Sequence, residues 1–147
     1  MDGRHQLAEK MASENPIPDV FNVNDQKFFA PDSMINAINE TVGRTLTVGE
    51  MAYAIYHNLA KYYDLALKEL EAVTGEKYET LNIIGGGSQN KFLNAMTKEL
   101  TGKKVIAGPA EGTAIGNLMM QMVGCGDIAD VQAGRQIIKN SFDINEV

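Results

Sequence analysis

The stretch "LNIIGGGSQNKFLNAMTKELTGKKVIAGPAEGTAIGNLMMQ", residues 81–121, decides how this chain folds. With Thr80 in front it opens on "TLNII", a short apolar run that ends at three glycines, which suits a strand. From Gln89 to Leu100, the side chains of Phe92, Leu93, Met96 and Leu100 recur at three- and four-residue steps, which predicts a helix with those four inward. "KVIA" reads as a second strand, and another helical pattern runs from about Ala110 to Val123. Beyond "GCGDIADV" a last helix is expected near Val131 to Asn140. The order β-α-β-α-α is that of an α/β layer, with the two strands most simply parallel and joined by a right-handed crossover. Two strands make a poor sheet. Either strands hide in the N-terminal third or the chain is part of something larger.

Upstream of this layer, "TVGE" at Thr47 to Glu50 has the form of a capping box, in which two side chains satisfy the free amides of a helix start. Apolar residues at 52, 55, 56, 59, 63, 66, 70 and 73 then form one continuous stripe on a long helix ending near Gly75, and that stripe is expected to be a core face. Tyr53, Tyr56, Tyr62 and Tyr63 lie at helical spacing on an acidic protein and read as packing residues rather than a base-stacking platform. Residues 5–13 suit a short helix, and Asp32 or Ser33 can cap another through Glu40. Between them, "ENPIPDVFNVNDQKFFAPDS" follows neither period, yet its Val20, Phe21, Phe28 and Phe29 demand a surface to pack on. The chain therefore divides into an irregular segment with short helices, residues 1–46, and an α/β part, residues 47–147.

Composition narrows the function. The 147 residues carry 13 basic and 19 acidic side chains, a net charge of −6, with the lysines scattered among acids; nothing here collects a polyanion, and no nucleic-acid partner is expected. No stretch approaches a membrane span, and "MDGRHQLAEKMASENPIP" has no apolar secretory core. Cys125 is the single cysteine, which fits a reducing compartment and a cytoplasmic location, and it is assigned no chemistry. His5 and His57 each lack a nearby Cys or acid at ligand spacing, so neither suggests a metal site.

Gly85, Gly86 and Gly87 stand where the first strand gives way to a helix, with Ser88 as a natural N-cap. Free amides at such a start, and glycines without side chains, let an anionic or planar ligand lie against the backbone. The same glycines also serve a tight turn with no ligand at all, and spacing leaves both readings open. The two common nucleotide fingerprints fail. "GGGSQN" lacks the third glycine of G-x-G-x-x-G, "VIAG" lacks the acid expected to hold a ribose, and no G-x-x-x-x-G-K-[ST] occurs. No Ser-His-acid or Cys-His arrangement is legible either.

Taken together, the strand ending in Gly-Gly-Gly-Ser-x-Asn, the helix with "FLN", the strand "VIAGP" and "EGTAIGN" opening the next helix resemble the sugar kinases of the FGGY family. "FNVNDQKFFAPDSMINAI" and "ELEAVTG" extend the likeness over roughly residues 17–142. The resemblance implies an α/β fold, part of the C-terminal actin-like, ribonuclease-H-like lobe of a sugar kinase, with few strands and flanking helices. It further implies ATP with Mg2+ as cofactors of the full-length enzyme and a ketose as substrate. Gly85 and Gly86 would pass along the adenine or ribose, Gly87 and Ser88 would begin the helix beside it, and Asn90 would offer its amide to the base. Glu111, Thr113 and Asn117 fall in the next matching motif, where capping and packing serve equally well as roles.

Members of that family are much longer and use an aspartate as general base; the aspartates at 2, 19, 25, 32, 64, 127, 130 and 143 match no such motif, and Asp64 is expected at the surface of the long helix. No catalytic residue is assigned. The chain is accordingly expected to be a C-terminal, adenosine-binding piece without activity of its own, able to self-associate through the seam where the missing lobe belongs. The competing reading is a stand-alone, non-catalytic module that binds nucleotides or a protein partner.

Overall fold

A computed structural model of the chain describes residues 3–18 and 21–147. Val20, Asp2, Asp19 and the side chain of His5 lie outside it. The described residues form six helices: α1 (Gly3–Glu14), α2 (Met34–Val42), α3 (Val48–Thr74), α4 (Lys91–Thr101), α5 (Gly112–Cys125) and α6 (Val131–Ser141). Three strands, β1 (Thr80–Ile83), β2 (Lys104–Ala107) and β3 (Asn145–Glu146), form one sheet in that spatial order.

The capping box starts α3 as expected. The Thr47 hydroxyl accepts from the Glu50 amide at 3.3 Å, and the Glu50 carboxylate accepts from the Thr47 amide at 2.8 Å. That amide and the Arg44 guanidinium hold the Glu50 carboxyl at about 2, well below its usual range. Gly75 closes the helix at φ 72°, a left-handed conformation in which a β-carbon is unfavourable. Ser33 caps α2, which runs on to Val42.

The expected stripe on α3 holds only in part: residues 52, 55, 56, 59, 63 and 66 are half-buried, but the fully buried positions lie beside them and the C-terminal end is exposed. The buried residues of α3 are Gly49, Ala54, Asn58 and Ala60, whereas Leu70 is 47% and Val73 86% exposed. Two helices pack against α3, α1 closing on it at Gly49 and α4 bringing Phe92 against its tyrosines. Past them, its C-terminal third has no such cover among the described residues. Tyr53 and Tyr56 meet the Phe92 ring of α4 at 6.3 and 5.9 Å between centroids, so both are packing residues. Asp64 is half-buried rather than surface-lying, and it pairs with Lys68 at 2.6 Å.

The proline-rich segment leans on this helix. Ile17, Ile38, Leu46 and Ala54 form a buried cluster against which Phe21 and Phe28 pack. Asn58 anchors it: Nδ2 donates to the Ala54 carbonyl at 2.8 Å and Oδ1 accepts from the Phe21 amide at 3.0 Å. Phe29 stays 90% exposed.

Strands β1 and β2 are parallel, in register from Thr80↔Lys104 to Ile83↔Ala107. A third strand does complete the sheet, but it comes from the C-terminus, antiparallel to β2 through Ile106↔Glu146 and Ala107↔Asn145. The N-terminal third contributes no strand among the described residues. So short a pairing has no periodicity to betray it. Val105 and Ala107 turn inward beneath α4, where Leu93 is buried and Phe92, Met96 and Leu100 are half-buried.

The sheet is tied to α3 by Glu71. Its carboxylate accepts from Lys77 Nζ at 2.7 Å, Lys103 Nζ at 3.1 Å and the Tyr78 amide at 3.2 Å. These contacts, Lys77 foremost, lower its carboxyl to about 2.

Candidate functional site

Because β1 and β2 run parallel, their carboxyl ends share one edge, the place where α/β sheets hold ligands. Two connections emerge there side by side, residues 84–90 after β1 and residues 108–111 after β2. They are stitched together by the Gly108 amide donating to the Ile83 carbonyl at 2.9 Å and the Gly85 amide to the Pro109 carbonyl at 3.0 Å.

Each of the three turn glycines has its own reason. Gly85 sits at φ 77°, ψ −161°, a conformation that glycine adopts readily and other residues do not. Gly87 has an ordinary contact in store, since a β-carbon there would meet the Ile83 side chain at 3.8 Å. Gly86 has neither constraint. Its φ is not positive, and a β-carbon built on it meets nothing within 4 Å.

The helix does not begin where the sequence suggests. Gly86–Gln89 make a short 3-10 turn, and α4 starts at Lys91 with Asn90 as its N-cap, its Oδ1 accepting from the Leu93 amide at 2.8 Å. Ser88 is therefore not the cap. Its hydroxyl donates to the Gly85 carbonyl at 2.7 Å, closing the turn on itself. The reason is local: the intervening 3-10 turn places Asn90, not Ser88, three residues before the Leu93 amide. Amides expected to be free at this start are also taken. The Phe92 amide donates to the Glu9 carboxylate of α1 at 3.4 Å, and the Leu93 amide to Asn90 Oδ1 at 2.8 Å. With a carboxylate already at the positive end of α4, an anion gains little by docking there. A planar neutral group remains compatible.

Beside the turn lies a cleft of about 780 Å³, bordered by Ser88, Lys91 and Asn94 on one side and by Pro109, Glu111 and Asp143 on the other. Of the residues named from the sequence, Ser88 reaches it, while Gly85, Gly86, Gly87 and Asn90 form the adjoining turn. Glu111 stands at the cleft and at the start of α5, where its side chain makes no capping bond; Thr113 and Asn117 are exposed. Asn94 was not singled out by sequence reasoning. It is 1% exposed, its Nδ2 donates to the Ser88 carbonyl at 2.9 Å, and its Oδ1 meets no donor among the described residues. Its position one turn after Asn90, within "NKFLN", was the available signal.

As for metals, no group of three or more His, Cys, Asp or Glu side chains gathers among the described residues. Nor is any helix among them long and apolar enough to cross a membrane. His57 has its titration lowered by burial first and by Lys61 next, with Glu99 acting the other way.

Residues 3–125 match the family model described as "FGGY family of carbohydrate kinases, C-terminal domain". Among curated proteins, the chain is 44% identical over 144 residues to a protein named rhamnulokinase from Bacillus subtilis (strain 168), covering 95% of this chain and 30% of that protein. It is 42% identical over 144 residues to the rhamnulokinase of Ligilactobacillus salivarius (strain UCC118), with the same two coverages. Against the rhamnulokinase of Bacteroides thetaiotaomicron (strain ATCC 29148 / DSM 2079 / JCM 5827 / CCUG 10774 / NCTC 10582 / VPI-5482 / E50) the figures are 37%, 95% and 30%. The chain thus spans about 30% of the length of the relatives it matches.

Proposed function

Since this chain belongs to the FGGY family of carbohydrate kinases, we propose that it supplies the adenosine-binding side of an ATP-dependent kinase that phosphorylates L-rhamnulose on its 1-hydroxyl. The observation that carries the reading is Gly86: no backbone strain and no neighbour demands a glycine there, whereas a nucleotide laid along the turn would. The α/β part, residues 47–147, carries the site. In this reading the base enters the cleft beside Asn94, the ribose passes Gly85 and Gly86, and Gly87 and Ser88 shape the turn. Asn90 spends its oxygen on the helix cap, which leaves its amide nitrogen as the donor for a ring nitrogen.

The phosphates lead away from α4, whose start already faces Glu9. Mg2+ would be carried by the phosphates, as is usual for this cation, and the described residues assign it no cage. A location in the cytoplasm and the kinase chemistry belong to the same proposal, as does self-association through apolar surface such as Phe29 and Val48.

Phosphoryl transfer depends on positioning and charge stabilisation. Aligning the reactants is worth about 7–11 kcal/mol of barrier in well-organised sites, so the 147-residue chain by itself is expected to show no turnover. The test mixes the full-length protein with Mg-ATP and a panel of ketoses and follows ADP release. Release that depends on L-rhamnulose supports the reading; faster release with another ketose replaces the substrate, and none with any sugar overturns the kinase.

A further inference from the structure

We propose that Asn94 reads the base of the bound nucleotide, its Oδ1 accepting a hydrogen bond from the exocyclic amine of adenine. The inference rests on the nucleotide reading above and names a residue that the glycine turn does not contain. It begins from a mismatch between two buried asparagines. Asn58, in α3, has both ends of its amide engaged, by the Ala54 carbonyl and the Phe21 amide. Asn94, equally buried, has one. Its orientation is not free, because the Ser88 carbonyl can only accept and so compels Nδ2 to face it. Oδ1 is consequently an acceptor without a donor among the described residues, in a residue that borders the cleft. A buried acceptor in that state is costly to a fold unless something supplies the missing proton donor.

The surroundings say what kind of group that is. Among the described residues lining the cleft, Lys91 is the one cation; Glu111 and Asp143 stand against it, Glu146 is already paired with Lys104 at 2.5 Å, and the start of α4 is occupied by the Glu9 carboxylate. Such a lining repels phosphate and favours a neutral ring that carries N–H donors. Adenine offers an amine at its 6-position. Hypoxanthine and guanine offer an oxygen there, which would set acceptor against acceptor, and sites built around one hydrogen bond reject ligands that cannot make it.

The test is titration calorimetry on the full chain with ADP, purine riboside 5′-diphosphate, which lacks the 6-amine, and inosine 5′-diphosphate. The wild-type protein is expected to bind ADP about tenfold or more tightly than either analogue. In Asn94→Ala the ratio of ADP to the desamino analogue is expected to collapse towards one. Asn94→Asp keeps the acceptor but loses the donor to Ser88, so both affinities fall while the preference survives. If Asn94→Ala weakens both ligands equally and the ratio stands, the residue only supports the turn and the inference is overturned. Should the variants fail to fold, the wild-type series decides alone: equal affinity for ADP and its desamino analogue sinks the inference. Absence of ADP binding overturns the nucleotide reading itself, and this inference with it.

Discussion

Gly49 and Gly86 place the same residue in two opposite situations. A β-carbon at Gly49 would lie 2.5 Å from Asn15 Nδ2 and 2.8 Å from the Met11 carbonyl oxygen, so glycine there lets α1 close on α3. At Gly86 the same atom would enter open space. The scaffold built on α3 uses small residues to remove volume, and the turn after β1 uses one to leave volume unclaimed. Glycine in a sequence therefore signals close approach, but only the neighbours reveal whether the approaching group belongs to the chain.

The sharpest way to break the contrast is to fill both positions. Gly49→Val drives branched atoms into a backbone carbonyl that has little room to move, and is expected to destabilise the protein by about 3 kcal/mol, read by denaturant unfolding. An unfolding midpoint equal to wild type would show that α1 yields easily. Gly86→Val should leave that midpoint nearly unchanged and instead raise the Michaelis constant for ATP about tenfold in the full-length enzyme, with the sugar constant unaltered. If its ATP constant stayed at the wild-type value, the turn would be scaffold like the rest.

Smaller effects refine the scaffold side. Thr47→Ala removes one half of the capping box and is expected to cost about 1 kcal/mol in unfolding experiments, without altering nucleotide affinity. The weakest effect is a pH dependence at Glu71. Its carboxyl is held at about 2 in the folded chain against 4.5 when unperturbed, so the stability it contributes is complete above the latter value. That contribution is lost as pH falls from about 4.5 towards 2, where the folded form finally takes up the proton. Glu71→Gln should flatten this part of the acid-unfolding profile relative to wild type; identical profiles would remove Glu71 as the tie between α3 and the sheet. His57 titrates in the same sense at higher pH, since burial lowers it: stability is expected to decline as pH falls below its ordinary value of 6.5.

Much was legible without coordinates because it depends on neighbours in sequence. Thr47 with Glu50, the left-handed Gly75, the period of Phe92, Leu93 and Met96, and the parallel pairing of "TLNI" with "KVIA" all follow from rules acting within a few residues or from one short crossover. The glycine turn was legible as a place, at the end of a strand and before a helix. Its inner arrangement was not, since Ser88 and Asn90 are both good caps and the choice depended on a single 3-10 turn.

The sequence by itself determined the local elements, the α/β class and, through its motifs, the kinase family. Tertiary structure alone decided which face of α3 is buried, because a helical stripe records apolar spacing but not that α1 and α4 grip the helix over part of its length and leave Leu70 and Val73 uncovered. It also decided that β3 comes from the C-terminus, a two-residue pairing that exists only because β2 offers an edge there. Most of all it distinguished Asn94 from Asn58, two asparagines whose hydrogen-bond partners no local feature reveals. Burial, and the supply of hydrogen-bond partners from residues as distant as Phe21, is settled only when the whole chain has closed around them.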